Sequence, residues 1–137
     1  MTNPGPKILL VEDNEDSRVL IKKVLGRYGM DVVECESGEE ALTLARDLRP
    51  DLILMDLGLT GIDGFETTAR LKKDPVTVDV SVVALTAYAM EGDRERILDA
   101  GFDGYIPKPI DVRTLGRTVE DYMKGTAGDA KRKDSDR

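Results

Sequence analysis

The stretch DLILMDLGLTG, residues 51–61, decides the fold. Four apolar residues, Leu52 to Met55, run straight into Asp56, and a loop of small residues follows. An apolar run this short, bounded by Pro50 and by Gly58 and Gly61, reads as a buried strand. Burying a carboxylate is costly without partners, so an acid at the very end of such a strand needs a chemical reason.

Outward from this strand, short apolar strands alternate with amphipathic helices. KILLV (Lys7 to Val11) is the first strand, and Leu20, Ile21, Val24, Leu25 and Tyr28 follow at helical spacing until Gly29 stops them. DVVECE is the second strand. Ser37 and Glu40 form a capping box ahead of a helix with Ala41, Leu44, Ala45 and Leu48 on one face. Past the 51–61 stretch, a shorter helix is expected from near Asp63 to Asp74-Pro75, with Phe65 and Ala69 inward. VSVVAL (Val80 to Leu85) is the fourth strand and a charged helix over about Met90 to Ala100 follows it. GYI is a short fifth strand, and the last helix carries Val112, Leu115, Val119 and Tyr122. Parallel neighbours need crossover connections, so this alternation implies an α/β fold, a parallel sheet with helices on both faces. Strands buried on both sides read as near-continuous apolar runs, as these do.

In such sheets ligands bind beyond the carboxyl ends of the strands. Strand one ends in Glu12-Asp13, strand three in Asp56 and strand four in Thr86-Ala87, while strand five leads into Pro107-Lys108-Pro109. Strand two offers nothing obvious. Three acids gathered at one edge raise each other's pKa and oppose folding. A divalent cation removes the conflict, and magnesium suits a site with few carboxylates and several retained waters. Repulsion offset by Lys108 alone is the alternative. With a metal, a lysine and a hydroxyl around an accessible carboxylate, the natural chemistry is phosphoryl transfer, which asks for positioning and charge neutralisation. Asp56 would be the nucleophile, Lys108 and the metal would neutralise charge, and Thr86 with the Ala87 amide would hold phosphoryl oxygens.

The 137 residues amount to one domain, 40% hydrophobic and 34% charged. A net charge of −7 disfavours nucleic acid. The absence of histidine excludes His-based catalysis, His metal sites and phosphohistidine carriers, and neither phosphate-binding glycine loop occurs. No apolar stretch approaches the roughly 20 residues of a membrane span, and no secretory signal opens the chain. The single Cys35 suits a reducing, cytoplasmic setting and reads as a small buried side chain. Residues 1–6 are expected to be flexible and residues 125–137 to form a disordered charged tail.

ILLVEDNEDSR, DLILMDLGLTGIDG, VVALTAYAM and GYIPKPID together resemble the receiver domain of two-component response regulators, in order and spacing, from Lys7 to about residue 124. The resemblance implies a flavodoxin-like doubly wound (βα)5 fold with strand order 2-1-3-4-5. It implies that Asp56 is the phosphoacceptor and that Asp13, Asp56 and the Gly58 carbonyl bind Mg2+ (or Mn2+), with Glu12 acting through water. It further implies that Lys108 pairs with the phosphoryl group before a cis Pro109, and that Thr86 and Tyr105 form a switch pair. The family's usual proline is replaced by Thr60. The expected function is that of a stand-alone signalling phosphoprotein with weak self-phosphorylation and self-dephosphorylation rather than an enzyme. Its phosphoryl group would come from a histidine kinase, hybrid kinase or histidine phosphotransfer protein. The face of the fourth helix, fifth strand and fifth helix would bind a downstream protein, without nucleic acid or membrane. Two rivals are a receiver-like scaffold that is never phosphorylated and an aspartate-nucleophile phosphatase, which would want an acid where Gly58 stands.

Overall fold

The central strand β3 (Leu52–Asp56) is buried at every residue and pairs in parallel with β1 (Lys7–Val11) on one side and β4 (Ser81–Thr86) on the other. Strand β2 (Asp31–Cys35) lies outside β1 and β5 (Gly104–Pro107) outside β4, so the sheet order is β2-β1-β3-β4-β5. The computed structural model describes residues 5–59, 61–87 and 91–124. The expectations for residues 1–4, Thr60, Met90 and the tail fall outside them.

Alternate residues along each strand feed two cores, as the pleat requires. Ile8, Leu10, Leu52, Leu54, Val83 and Leu85 face one side, where α1 (Glu15–Arg27) and α5 (Leu115–Met123) cover them with Ile21, Leu25, Leu115 and Val119. Leu9, Val11, Ile53, Met55, Val82 and Ala84 face the other, under α2 (Gly38–Leu48), α3 (Gly64–Lys73) and α4 (Glu91–Asp99). Each fully buried aliphatic chain contributes roughly 1.5–3 kcal/mol, which fixes β3 in place and with it the carboxylate at its end.

The helix starts are capped by short polar side chains. Asn14 accepts from the Ser17 amide, Ser37 from the Glu40 amide and Asp63 from the Glu66 amide. In the capping box Glu40 reaches the Glu36 amide and the Ser37 hydroxyl. Gly29 and Gly101 turn the chain after α1 and α4 with φ of 77° and 102°.

Several expectations shift. Strand β3 extends one residue further, so Asp56 is its last member, and β4 ends on Thr86 rather than Leu85. In α1, Leu20 and Tyr28 are exposed, and Arg18 joins Ile21, Val24 and Leu25 among the buried residues. In α3, Phe65 does pack against the second core, half-buried, but Ala69 is only half-buried, and Thr67, Thr68 and Leu71 are the buried side chains. Val112 stands exposed in the turn before α5, which begins at Leu115. Cys35 is buried, as expected, and burial pushes its thiol up to about 12.

One close contact ties the fold to the site. A Cβ at Gly64, the first residue of α3, would lie 2.6 Å from the Asp56 carbonyl oxygen. Gly64→Ala is expected to lower stability by roughly 1–3 kcal/mol, the usual cost of overpacking. Urea unfolding measures this, and an unchanged midpoint would show that the Asp56 loop can give way.

Candidate functional site

The ends of β1, β3, β4 and β5 meet at one edge. Glu12, one residue past β1, is fully buried; Asp13 beside it is exposed; Asp56 is buried. One carboxylate oxygen from each lies within 4.8 Å of the others. The Lys108 ammonium, just past β5, donates to Glu12 Oε1 at 2.8 Å and stands 3.3 Å from Asp56 Oδ1. The Lys108 amide donates to the Thr86 carbonyl at 2.8 Å, extending the β4–β5 ladder so that the side chain is delivered to the acids. The Lys108–Pro109 peptide is cis.

Backbone donors hold the acids. The Gly58 amide donates to Asp56 Oδ1 at 3.0 Å and the Asn14 amide to Glu12 Oε2 at 3.2 Å. Burial, and then the neighbouring Asp56 carboxylate, push Glu12 above the usual carboxylate range, against the pull of Lys108 and the Asn14 amide. For Lys108 burial acts to lower the pKa, but the Glu12 hydrogen bond and the Asp56 charge outweigh it and hold the ammonium above its ordinary value. Three carboxylates against one ammonium leave a surplus of negative charge.

That surplus, made of hard oxygen donors that leave room for water ligands, fits a magnesium-sized cation. Glu12, Asp13 and Asp56 are the residues that could hold it.

A cavity of about 400 Å³ opens on Asp56. Thr86, Ala87 and Lys108 line it, as do Phe65, Arg96 and Ile97. The Arg96 guanidinium lies 4.5 Å from the centre of the Phe65 ring. Tyr105, half-buried in β5, accepts a 3.3 Å hydrogen bond from Arg94 Nη1. Every residue singled out as a site candidate therefore sits at this edge or, for Tyr105, on the neighbouring strand.

Sequence reasoning missed Phe65, Arg96 and Ile97, whose helical positions read only as one inward aromatic and part of a charged helix. It also missed Arg18. This buried guanidinium donates to the Glu12 carbonyl at 2.8 Å and pairs with Glu36 at 3.2 Å and Glu34 at 3.8 Å. Strand β2 thus does contribute, through acids that hold an arginine rather than through a ligand.

A parallel five-stranded sheet in this order, with acids and a lysine at its carboxyl edge, defines a CheY-like, flavodoxin-like signalling domain. The chain belongs to the response regulator receiver domain family, whose pattern it matches over residues 8–120. It is 42% identical over 116 residues to the polar-differentiation response regulator DivK of Brucella anthropi, covering 85% of this chain and 94% of that protein. Among solved structures it resembles the receiver domain of the sensor histidine kinase PA1611 of Pseudomonas aeruginosa, whose cleft coordinates magnesium (36% identity, TM-score 0.80, 88% of this chain and 98% of that one). The chemotaxis response regulator CheY4 of Vibrio cholerae is similar at 25% identity and TM-score 0.80, covering 85% and 97% of the two chains.

If the acids are short of positive charge, Mg2+ should stabilise the folded chain, by about 2.7 kcal/mol at a hundred times its Kd. Thermal unfolding with and without Mg2+ measures this, and Asp13→Ala should abolish most of the gain. An equal gain in that variant would place the cation elsewhere.

Proposed function

We propose that the chain is a phosphorylation-activated signalling protein that takes a phosphoryl group onto Asp56. The observation that carries this reading is the Asp56 carboxylate opening on the cavity with Lys108 at 3.3 Å and two further acids within 4.8 Å. Few other arrangements keep a buried carboxylate nucleophilic and still neutralise an incoming phosphoryl group.

In the transfer, a carboxylate oxygen of Asp56 forms a bond to phosphorus while the phosphorus–nitrogen bond of a donor phosphohistidine breaks, its electron pair leaving with the imidazole. These 137 residues hold no histidine, so the donor group lies outside them, on a histidine kinase, hybrid kinase or histidine phosphotransfer protein. Lys108 neutralises a phosphoryl oxygen, and the Thr86 hydroxyl and Ala87 amide hold the others. Asp13, Asp56 and the Gly58 carbonyl, with Glu12 through water, would hold Mg2+, which would supply the remaining charge neutralisation.

The switch pair that the family resemblance implies, Thr86 and Tyr105, is supported by where the two residues lie. Thr86 ends β4 at the cavity, and Tyr105 lies on β5 beside it, paired with Ala84 in register. Movement of the threonine hydroxyl toward the phosphoryl group would free room for the tyrosine ring to turn inward and reshape the α4-β5-α5 face, where a downstream protein binds. The net charge of −7 and the single buried cysteine support a cytoplasmic protein that binds neither nucleic acid nor membrane. Among the described residues no helix is long and apolar enough to cross a membrane. Self-phosphorylation and self-dephosphorylation are weak side activities of the same site.

Incubation with a small-molecule phosphodonor and Mg2+ tests the reading. Wild type should gain one phosphoryl group by intact mass and Asp56→Asn none. No uptake by wild type, with beryllofluoride leaving its spectrum unchanged, would reduce the chain to a scaffold that is never phosphorylated. Lys108→Ala should still be phosphorylated but lose phosphorylation-dependent partner binding; undiminished dependence would remove Lys108 from the switch.

A further inference from the structure

Arg18 sits one turn into α1 with its side chain only 10% exposed, an unusual place for a guanidinium. It serves three acceptors from the ends of two different strands. Nη1 donates to the Glu12 carbonyl at 2.8 Å, Nη2 pairs with Glu36 at 3.2 Å and Nε with Glu34 at 3.8 Å. The amide of the same Glu12 donates to the Cys35 carbonyl at 3.1 Å. The backbone of Glu12 is therefore gripped at both ends, its N–H by the end of β2 and its C=O by an arginine that the acids at the end of β2 hold in place. The Glu12 carbonyl belongs to the peptide that leads into Asp13, so fixing it fixes the backbone from which the Asp13 carboxylate projects. Among the described residues Asp13 has no ion pair of its own to do this.

We infer that Arg18 is a positioning residue for the cation site: it locks the Glu12–Asp13 peptide and thereby sets the affinity for Mg2+ without touching the metal. This rests on the functional reading above and goes beyond it in assigning β2 and α1 a part in the site. Groups that orient metal ligands typically change affinity 10- to 100-fold when removed.

The sign of the effect separates positioning from two simpler roles. Losing a cation near a divalent ion would, by charge alone, tighten Mg2+ binding. Loss of packing alone would lower stability and leave Mg2+ affinity where it was. Loss of positioning loosens Mg2+ binding.

Mg2+ affinity is measured by calorimetry on the full chain for wild type, Arg18→Gln and Arg18→Lys, with urea unfolding alongside. Arg18→Gln should weaken Mg2+ binding about tenfold and displace the Asp13 amide resonance even without metal. Arg18→Lys keeps the charge facing Glu34 and Glu36 but lacks the fork that also reaches Glu12, and should weaken binding by a smaller factor. If Arg18→Gln fails to fold, the lysine variant carries the test. Unchanged affinity, or tighter binding in the glutamine variant, overturns the inference. A wild-type chain that binds no Mg2+ overturns the inference and the cation site together; wild-type binding to which both variants are indifferent overturns only the role of Arg18.

Discussion

One electrostatic constraint governs the structure's functional edge: Glu12, Asp13 and Asp56 each place a carboxylate oxygen within 4.8 Å of the others, and among the described residues Lys108 is the ammonium that pairs with two of them. Nothing in the folding of a parallel sheet requires this. Hydrophobic burial of β1 and β3 supplies the force that holds the acids together, since Leu9, Leu10, Leu52, Ile53, Leu54 and Met55 are all fully buried. Like charges brought together in this way favour protonation and oppose folding; at Glu12 burial does most to raise the pKa and the neighbouring Asp56 adds to it. A carboxyl whose pKa is raised on folding favours the native state below its unfolded value, and that contribution is lost as pH rises through the folded value. For Glu12, folding therefore gives up stability as pH rises toward neutral.

The rest of the fold manages that constraint. Lys108 reaches the acids because its amide continues the β4–β5 ladder. Asp56 stays at the sheet edge because α3 begins on a glycine that lets the helix press against the Asp56 carbonyl. The β1 end is held by β2 and by Arg18. Each of these is a contact to the backbone, so main-chain placement brings the acids together, while Lys108 and the Asn14 and Gly58 amides hold the Glu12 and Asp56 carboxylates.

Much of this could be read from the chain. The strand-helix alternation, the run into Asp56 and the polar residues after each apolar strand placed the acids, Thr86 and Lys108 at one edge, because period and punctuation are local signals. The sheet order came only through likeness to a family. What escaped was long-range. Arg18 closes the segment EDSR and looks like any first-turn charge on a helix; only the fold brings it beneath Glu12 and against β2. On α3, Thr67 and Thr68 escaped because they are polar, yet Gly38 has no Cβ to meet the Thr67 hydroxyl that packs there. Val112 fitted a helical period but precedes the helix, in a turn where Asp111 accepts from the Arg113 amide.

Unless a cation stands among them, the three acids repel one another in the folded chain. Urea unfolding of wild type and Asp56→Asn, each with and without Mg2+, tests it most directly, because asparagine keeps the shape and the acceptor for the Gly58 amide. Without Mg2+ the variant should be more stable than wild type, by about 1 kcal/mol, and Mg2+ should close or reverse the gap. A variant no more stable than wild type in the absence of Mg2+ would contradict the account.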